Sequence, residues 1–131
     1  MEVSEDRQTQ IRADQILKSL TSWTHLQKDS IFCVRSRGAK TRAIARIYSF
    51  PQALQVALKT KPKYVIEVIS EKFDKLSSEN KDKVLIHELM HIPKTFSGAL
   101  VPHKCFGRKV ICAKTVDAKY EEFKRNYQSD S

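Results

Sequence analysis

The sequence predicts a small α+β domain, and three observations predict it. Apolar residues recur at helical spacing near the N-terminus and again around residues 84–92. Between those stretches lie short runs rich in β-branched and aromatic residues, bounded by Gly and Pro. The chain has 131 residues, enough for one core and too few for two full domains. The expected unit is one domain over 1–131. It holds a mixed or antiparallel sheet of about three strands, packed on a central helix, with a further helix at each end. Residues 1–7 and 128–131 are expected to be disordered.

The first helix is expected over about 8–26, where Ile11, Ile16, Leu17, Leu20 and Trp23 share a face. Ile31–Arg37 reads as a strand and Arg42–Phe50 as a second, joined through Gly38–Lys40 as a hairpin. Pro51 can open a short helix over Gln52–Leu58, because its fixed φ suits a first turn. Pro62 interrupts again, and Tyr64–Ile69 is a β-rich run. Ser77 or Ser78 can cap the next helix by accepting from its free first-turn amides. Glu79 then suits the positive end of the helix dipole. Val84, Leu85, Leu89 and Ile92 form its apolar stripe, and Pro93 stops it. Residues 93–115 read as irregular. Thr115 or Asp117 can cap a last helix running to about Tyr127.

Charge is unevenly placed. The chain carries 24 Lys+Arg against 15 Asp+Glu, a net charge of +9. Residues 31–66 hold eight of the basic residues and no acid; residues 92–114 hold five and no acid. Such blocks make a nucleic-acid partner conceivable, with Arg35, Arg37, Lys40, Arg42 and Arg46 as candidate contacts, but basicity selects no chemistry. The three cysteines, Cys33, Cys105 and Cys112, are too few and too odd for a disulfide framework. The N-terminus is polar and acidic, unlike a secretory signal, and no apolar run approaches the ~20 residues of a membrane span. A cytoplasmic protein with free thiols and no membrane partner is expected.

One stretch carries chemistry: His87-Glu88-Leu89-Met90-His91. On a helix, positions i and i+4 stand one turn apart on the same face. Two imidazoles so placed can share one tetrahedral zinc ion. Glu88, beside the first ligand, can reach the water on that metal and act as general base. From composition alone such a pattern arises by chance in roughly one chain in a hundred. Here it lies on a capped helix with apolar flanks, and a further histidine, His103, follows the motif with eleven residues between.

A catalytic zinc site needs three protein ligands and one open position. His103 is the candidate third ligand, since Pro93 and Gly98 let the chain turn back. Glu121 and Glu122 are alternative carboxylate donors, more simply read as a solvated helix face. Cys105 and Cys112 match no zinc-knuckle spacing, and His25 stands apart at the end of the first helix. Tyr120, Tyr127, Lys104 and Arg108 are conceivable oxyanion stabilisers, with core or surface roles as the default.

The run H-E-L-M-H-I-P followed by S-G-A-L-V-P-H-K resembles the short HExxH metallopeptidases of phages and archaea. The likeness covers about residues 40–107. It implies a minimal zincin-like fold, Zn2+ as cofactor, His87, His91 and His103 as ligands, and Glu88 as base. A more distant similarity is to SprT-like domains, where an aromatic residue lies near the third histidine, as Phe106 does here. Those proteins often add a four-cysteine ribbon, which this sequence lacks. The zincin resemblance also gives Tyr64–Ile69 a role as an edge strand that pairs with an extended substrate. Tyr64, Val65, Ile66, Glu67 and Val68 are then the substrate-binding candidates. The expected activity is zinc-dependent peptide hydrolysis. A basic zinc protein associated with nucleic acid or chromatin, or a protease acting on DNA-bound substrates, is the alternative.

Overall fold

The computed structural model describes residues 1–105 and 107–129, without side chains at 105, 128 and 129. Phe106 and positions 130–131 therefore lie outside the described residues. The chain runs β1 (Glu2–Glu5), α1 (Arg7–Ser19), β2 (Ile31–Arg37), β3 (Ala45–Tyr48), α2 (Gln52–Leu58) and β4 (Tyr64–Ile69). It continues through α3 (Ser70–Phe73), α4 (Ser78–Leu89), β5 (Lys104–Cys105), β6 (Arg108–Lys109) and α5 (Ala113–Ser129). The fold is α+β, consistent with a small zincin-like domain. Among the described residues, no helix is long and apolar enough to cross a membrane.

The sheet is mixed, in the order β1-β2-β4-β3. β2 runs parallel to β4, with Cys33 opposite Ile66, while β3 runs antiparallel to β4, with Ile47 opposite Ile66. This overturns two expectations. β2 and β3 are not a hairpin, because β4 lies between them. β4 is not an edge strand either: its backbone pairs on both sides, so Tyr64–Val68 cannot receive a substrate strand. Its almost continuous burial, which includes Glu67, is the sequence mark of a central strand.

β1 is the element the sequence concealed. Residues 1–7, expected to be disordered, hold a strand antiparallel to β2 and the cap of α1. All four strand residues are exposed, so no alternation of burial marks them; backbone pairing alone forms the strand. Asp6 then caps α1, accepting from the Thr9 amide at 3.0 Å and the Thr9 hydroxyl at 2.7 Å.

α1 stops at Ser19, well before residue 26. Leu20, Trp23 and Leu26 recur every third residue because successive turns link them: the Trp23 amide donates to Leu20 and the Leu26 amide to Trp23. The turns mimic helical periodicity while keeping Leu20 and Trp23 buried. α2 and β4 have the expected boundaries, and Ser77 caps α4 by accepting from the Asn80 amide at 3.2 Å. α5 opens slightly earlier than expected. There Thr115 Oγ1 accepts from the Cys112 amide at 2.9 Å, a side-chain return to the start of the helix.

One face of the sheet carries Ile31, Cys33, Tyr64, Ile66 and Val68 into the core. Ala13, Ile16 and Leu17 of α1, Leu85, Ile86 and Leu89 of α4, and Val116 and Phe123 of α5 close over it. This burial drives the fold, at roughly 1.5–3 kcal/mol for each large apolar side chain removed from water. It also fixes α4 rotationally. With Leu85, Ile86 and Leu89 inward, His87 is left at the boundary of the core.

Candidate metal centre

α4 ends at Leu89, and Met90 is its C-cap. His91 therefore sits just beyond the helix, in a tighter last turn where its amide donates to Glu88 at 3.1 Å. The turn still brings His91 beside His87, with ring centroids 5.3 Å apart and the rings tilted by 59°. The chain then breaks at Pro93, passes through the left-handed residues Phe96 and Gly98, and returns His103 to the same place. His87 Nε2 and His103 Nε2 approach to 3.1 Å, and the His91 and His103 ring centroids are 4.6 Å apart. One ring nitrogen from each of the three lies within 4.8 Å of the others.

The orientation of His91 is fixed by a mutual clasp. Its Nδ1 donates to the Val101 carbonyl at 2.6 Å, while the Val101 amide donates to the His91 carbonyl at 2.7 Å. With the proton held on Nδ1, the Nε2 lone pair is the one left to bind a metal. Burial, then the charges of the other rings, lowers the pKa of His87; burial together with His103 does the same for His91. Both effects favour neutral imidazoles, the form that ligates metal. Three neutral imidazoles suit zinc and several other first-row metals. The donor set thus fits a metal ion.

Glu88 lies beside this cluster, only 8% exposed. Burial pushes its carboxyl up to about 7. With His87 it lines a cleft of about 510 Å³. Ile44 and Ala45 form one wall, Val84 of α4 another, and Ala113 and Val116 of α5 a third. Arg42, Lys83 and Asp117 add charge around it.

The other candidates fall elsewhere. Arg35 is engaged by Asp6 at 3.0 Å, by the Ser70 hydroxyl at 2.9 Å and by Asp74. Arg46 is engaged by Glu67 at 2.7 Å. Arg37 and Lys40 are exposed, and Arg42 lines the cleft. Glu121 is exposed, while Glu122 meets the Ser22 hydroxyl at 3.3 Å and the Lys119 ammonium at 3.8 Å. Neither glutamate joins the histidines. Tyr120 packs in the core and Tyr127 lies under the Arg12 guanidinium, so neither serves the cluster. Lys104 and Arg108 are exposed on the hairpin that follows His103. Sequence reasoning missed the clasp at Val101 and the walls supplied by Ile44, Ala45 and α5. The clasp uses backbone groups, which leave no side-chain signature.

Neither a curated protein nor a solved structure matches the chain. A family model described as "Putative phage metallopeptidase" matches residues 1–128, nearly the whole length. The histidine cluster and the buried glutamate thus sit inside a match that spans the domain, and the chain belongs to this phage metallopeptidase family.

Proposed function

We propose that this protein is a zinc-dependent peptidase with His87, His91 and His103 as ligands and Glu88 as general base. The observation that carries the reading is the convergence of three imidazole nitrogens beside a buried carboxylate at the wall of a cleft. A zinc ion bound there supplies Lewis acidity, polarising the scissile carbonyl and making water a better nucleophile near neutral pH. Glu88 accepts the proton of the attacking water on its carboxylate and passes it to the leaving amine. Its burial shields the carboxylate from bulk water, so a proton it takes is kept beside the reacting groups.

The substrate is an extended peptide. β3 is a terminal strand of the sheet, and among the described residues no strand pairs with its outer side, which leaves that side to a peptide. Ala45, its first residue, and Ile44 before it line the cleft together with His87 and Glu88. A peptide added to β3 therefore runs past the metal centre. The cleft wall offers Ile44, Val84 and Val116 to an apolar side chain.

The test combines zinc content with hydrolysis of an unfolded protein. Wild-type chain binds about one zinc, and His87→Ala loses it. Glu88→Gln keeps the metal and loses about 10²–10⁴-fold in rate, the usual scale of a general base. A fully zinc-loaded Glu88→Gln protein with wild-type activity overturns the role of Glu88. A wild-type chain that binds no zinc overturns the whole reading.

A further inference from the structure

His87 and His91 are placed by a helix, but His103 arrives from an irregular segment that must be held by something else. We propose that Tyr64, with Gln55 as an outer strut, is the positioning residue of the metal centre. Tyr64 ties down the loop that delivers Val101 and His103. The inference rests on the metallopeptidase reading of the histidine cluster.

Tyr64 opens the central strand and is 1% exposed, so it cannot touch a substrate. Its hydroxyl accepts from the Gly98 amide at 2.8 Å and donates to the Ala99 carbonyl at 2.8 Å. Donor and acceptor are thus both committed to two consecutive residues of one loop. Its ring packs edge-on against Phe96 at 5.0 Å, the residue that turns the chain with a φ of 49°. One side chain grips the loop at 96, 98 and 99, two residues before the Val101 clasp on His91.

The opposite side of the loop is held as well. Gln55 Nε2 donates to the Ser97 and Phe50 carbonyls, each at 2.9 Å, and the Phe50 amide donates to the Gly98 carbonyl at 2.7 Å. The approach is so close that a Cβ on Gly98 would lie 2.2 Å from the Phe50 oxygen, and Gly98 has a φ of 96°. The loop is therefore clamped between the strand core and the start of α2. Such clamping sets the ligand geometry before metal arrives, and its loss typically weakens metal binding by 10–100-fold at supporting positions.

The test is cobalt(II) binding to the full chain, read by affinity and by visible d–d absorption, with amide hydrogen exchange at Gly98 and Val101 as a metal-free readout. Tyr64→Phe keeps the ring and removes the hydroxyl. It is expected to weaken cobalt binding about ten-fold, lower or shift the d–d band, and speed exchange at both amides. Gln55→Ala, on an exposed helix, is expected to do the same about three-fold, and it carries the test if Tyr64→Phe does not fold. Thr9→Val deletes another buried hydroxyl, which bonds Asp6 away from the loop. It should lower the melting temperature without moving the cobalt band. Wild-type affinity, spectrum and exchange in Tyr64→Phe, or in Gln55→Ala if only that variant folds, overturn the proposal. A wild-type chain that binds no cobalt overturns the metal reading instead, and the exchange rates still decide whether Tyr64 holds the loop.

Discussion

The two halves of α4 bury a carboxylate each and treat it in opposite ways. Asp82, in the first half, is 4% exposed and receives Arg12 through two hydrogen bonds of 2.8 Å. Glu88, at the other end, is 8% exposed, and burial alone raises its pKa to about 7. A buried charge is costly unless it is paired. At Asp82 the cost is offset by a fork of guanidinium donors, and the acid locks α4 to α1. At Glu88 no such partner stands among the described residues, and the cost shows as a raised pKa. The contrast teaches that burial identifies an acid worth attention, and its partner decides whether it is scaffold or chemistry.

The strongest way to test the contrast is to strip the scaffold acid of its partner. Arg12→Met keeps an apolar stem beneath Phe123 and Tyr127, whose ring centroids lie 5.0 and 5.1 Å from the guanidinium. It leaves Asp82 buried and unpaired, and should cost about 3 kcal/mol, seen in urea unfolding. Adding Asp82→Leu should recover most of that loss, since a buried pair is often replaceable by apolar residues. No recovery in the double variant would mean that Arg12 stabilises mainly by packing on the two rings.

The same contrast shows what was legible in the sequence. The motif His87-Glu88-Leu89-Met90-His91 offers its candidate ligands and base through helical spacing, a local property. The cap at Ser77, the bounds of α2 after Pro51 and the strand Tyr64–Ile69 were legible for the same reason. The pairing of Arg12 with Asp82 spans 70 residues and has no local signal. Strand order was hidden likewise. The residues between Arg37 and Ala45 lead past β4 to its far side, and nothing in Gly38–Lys40 distinguishes that path from a hairpin. β1 stayed invisible because an exposed edge strand needs no apolar face. His103 was legible as a ligand candidate, but the residues that hold its loop were not. Tyr64 reads as one more β-former, and its role lies in a hydroxyl that reaches residues 34 and 35 positions away.

The loop can be broken independently of the helix. Gly98→Ala forces a left-handed alanine against the Phe50 oxygen, and should cost about 2 kcal/mol. The loss should appear in thermal unfolding, with His103 displaced and metal affinity lower. Unchanged stability in the Gly98→Ala protein would mean that the loop shifts freely and the clamp is weak.

Glu88→Gln carries the opposite sign. In the metal-free protein it replaces a buried acid by a neutral amide, and should raise stability by about 1 kcal/mol at pH 8, while the zinc-loaded variant loses hydrolysis. Asp82→Asn should lower stability under the same conditions, because it discards the Arg12 pair. If both substitutions shift stability in one direction, the distinction between the two ends of α4 fails.

The smallest effect belongs to a third buried acid, Glu67, which sharpens the contrast through pH. Burial works to raise its pKa, but hydrogen bonds from Arg46 and Tyr48, with the charge of Arg46, outweigh it and hold the carboxyl below its ordinary value. A depressed folded pKa means that the folded state favours the ionised form more than the unfolded chain does. The associated stability is therefore present above the ordinary Glu pKa near 4.5 and lost as pH falls through the lower folded value. Arg46 is 40% exposed along its side chain, so water screens the pair and keeps the effect modest. Arg46→Met should cost roughly 0.5–1 kcal/mol at pH 7, and the gap to wild type should narrow below about pH 4. A gap that stays constant from pH 7 to pH 3 would show that Arg46 acts through packing on Tyr48. Glu67 would then be buried with its charge uncompensated, as Glu88 is, and partnering would no longer separate scaffold from site.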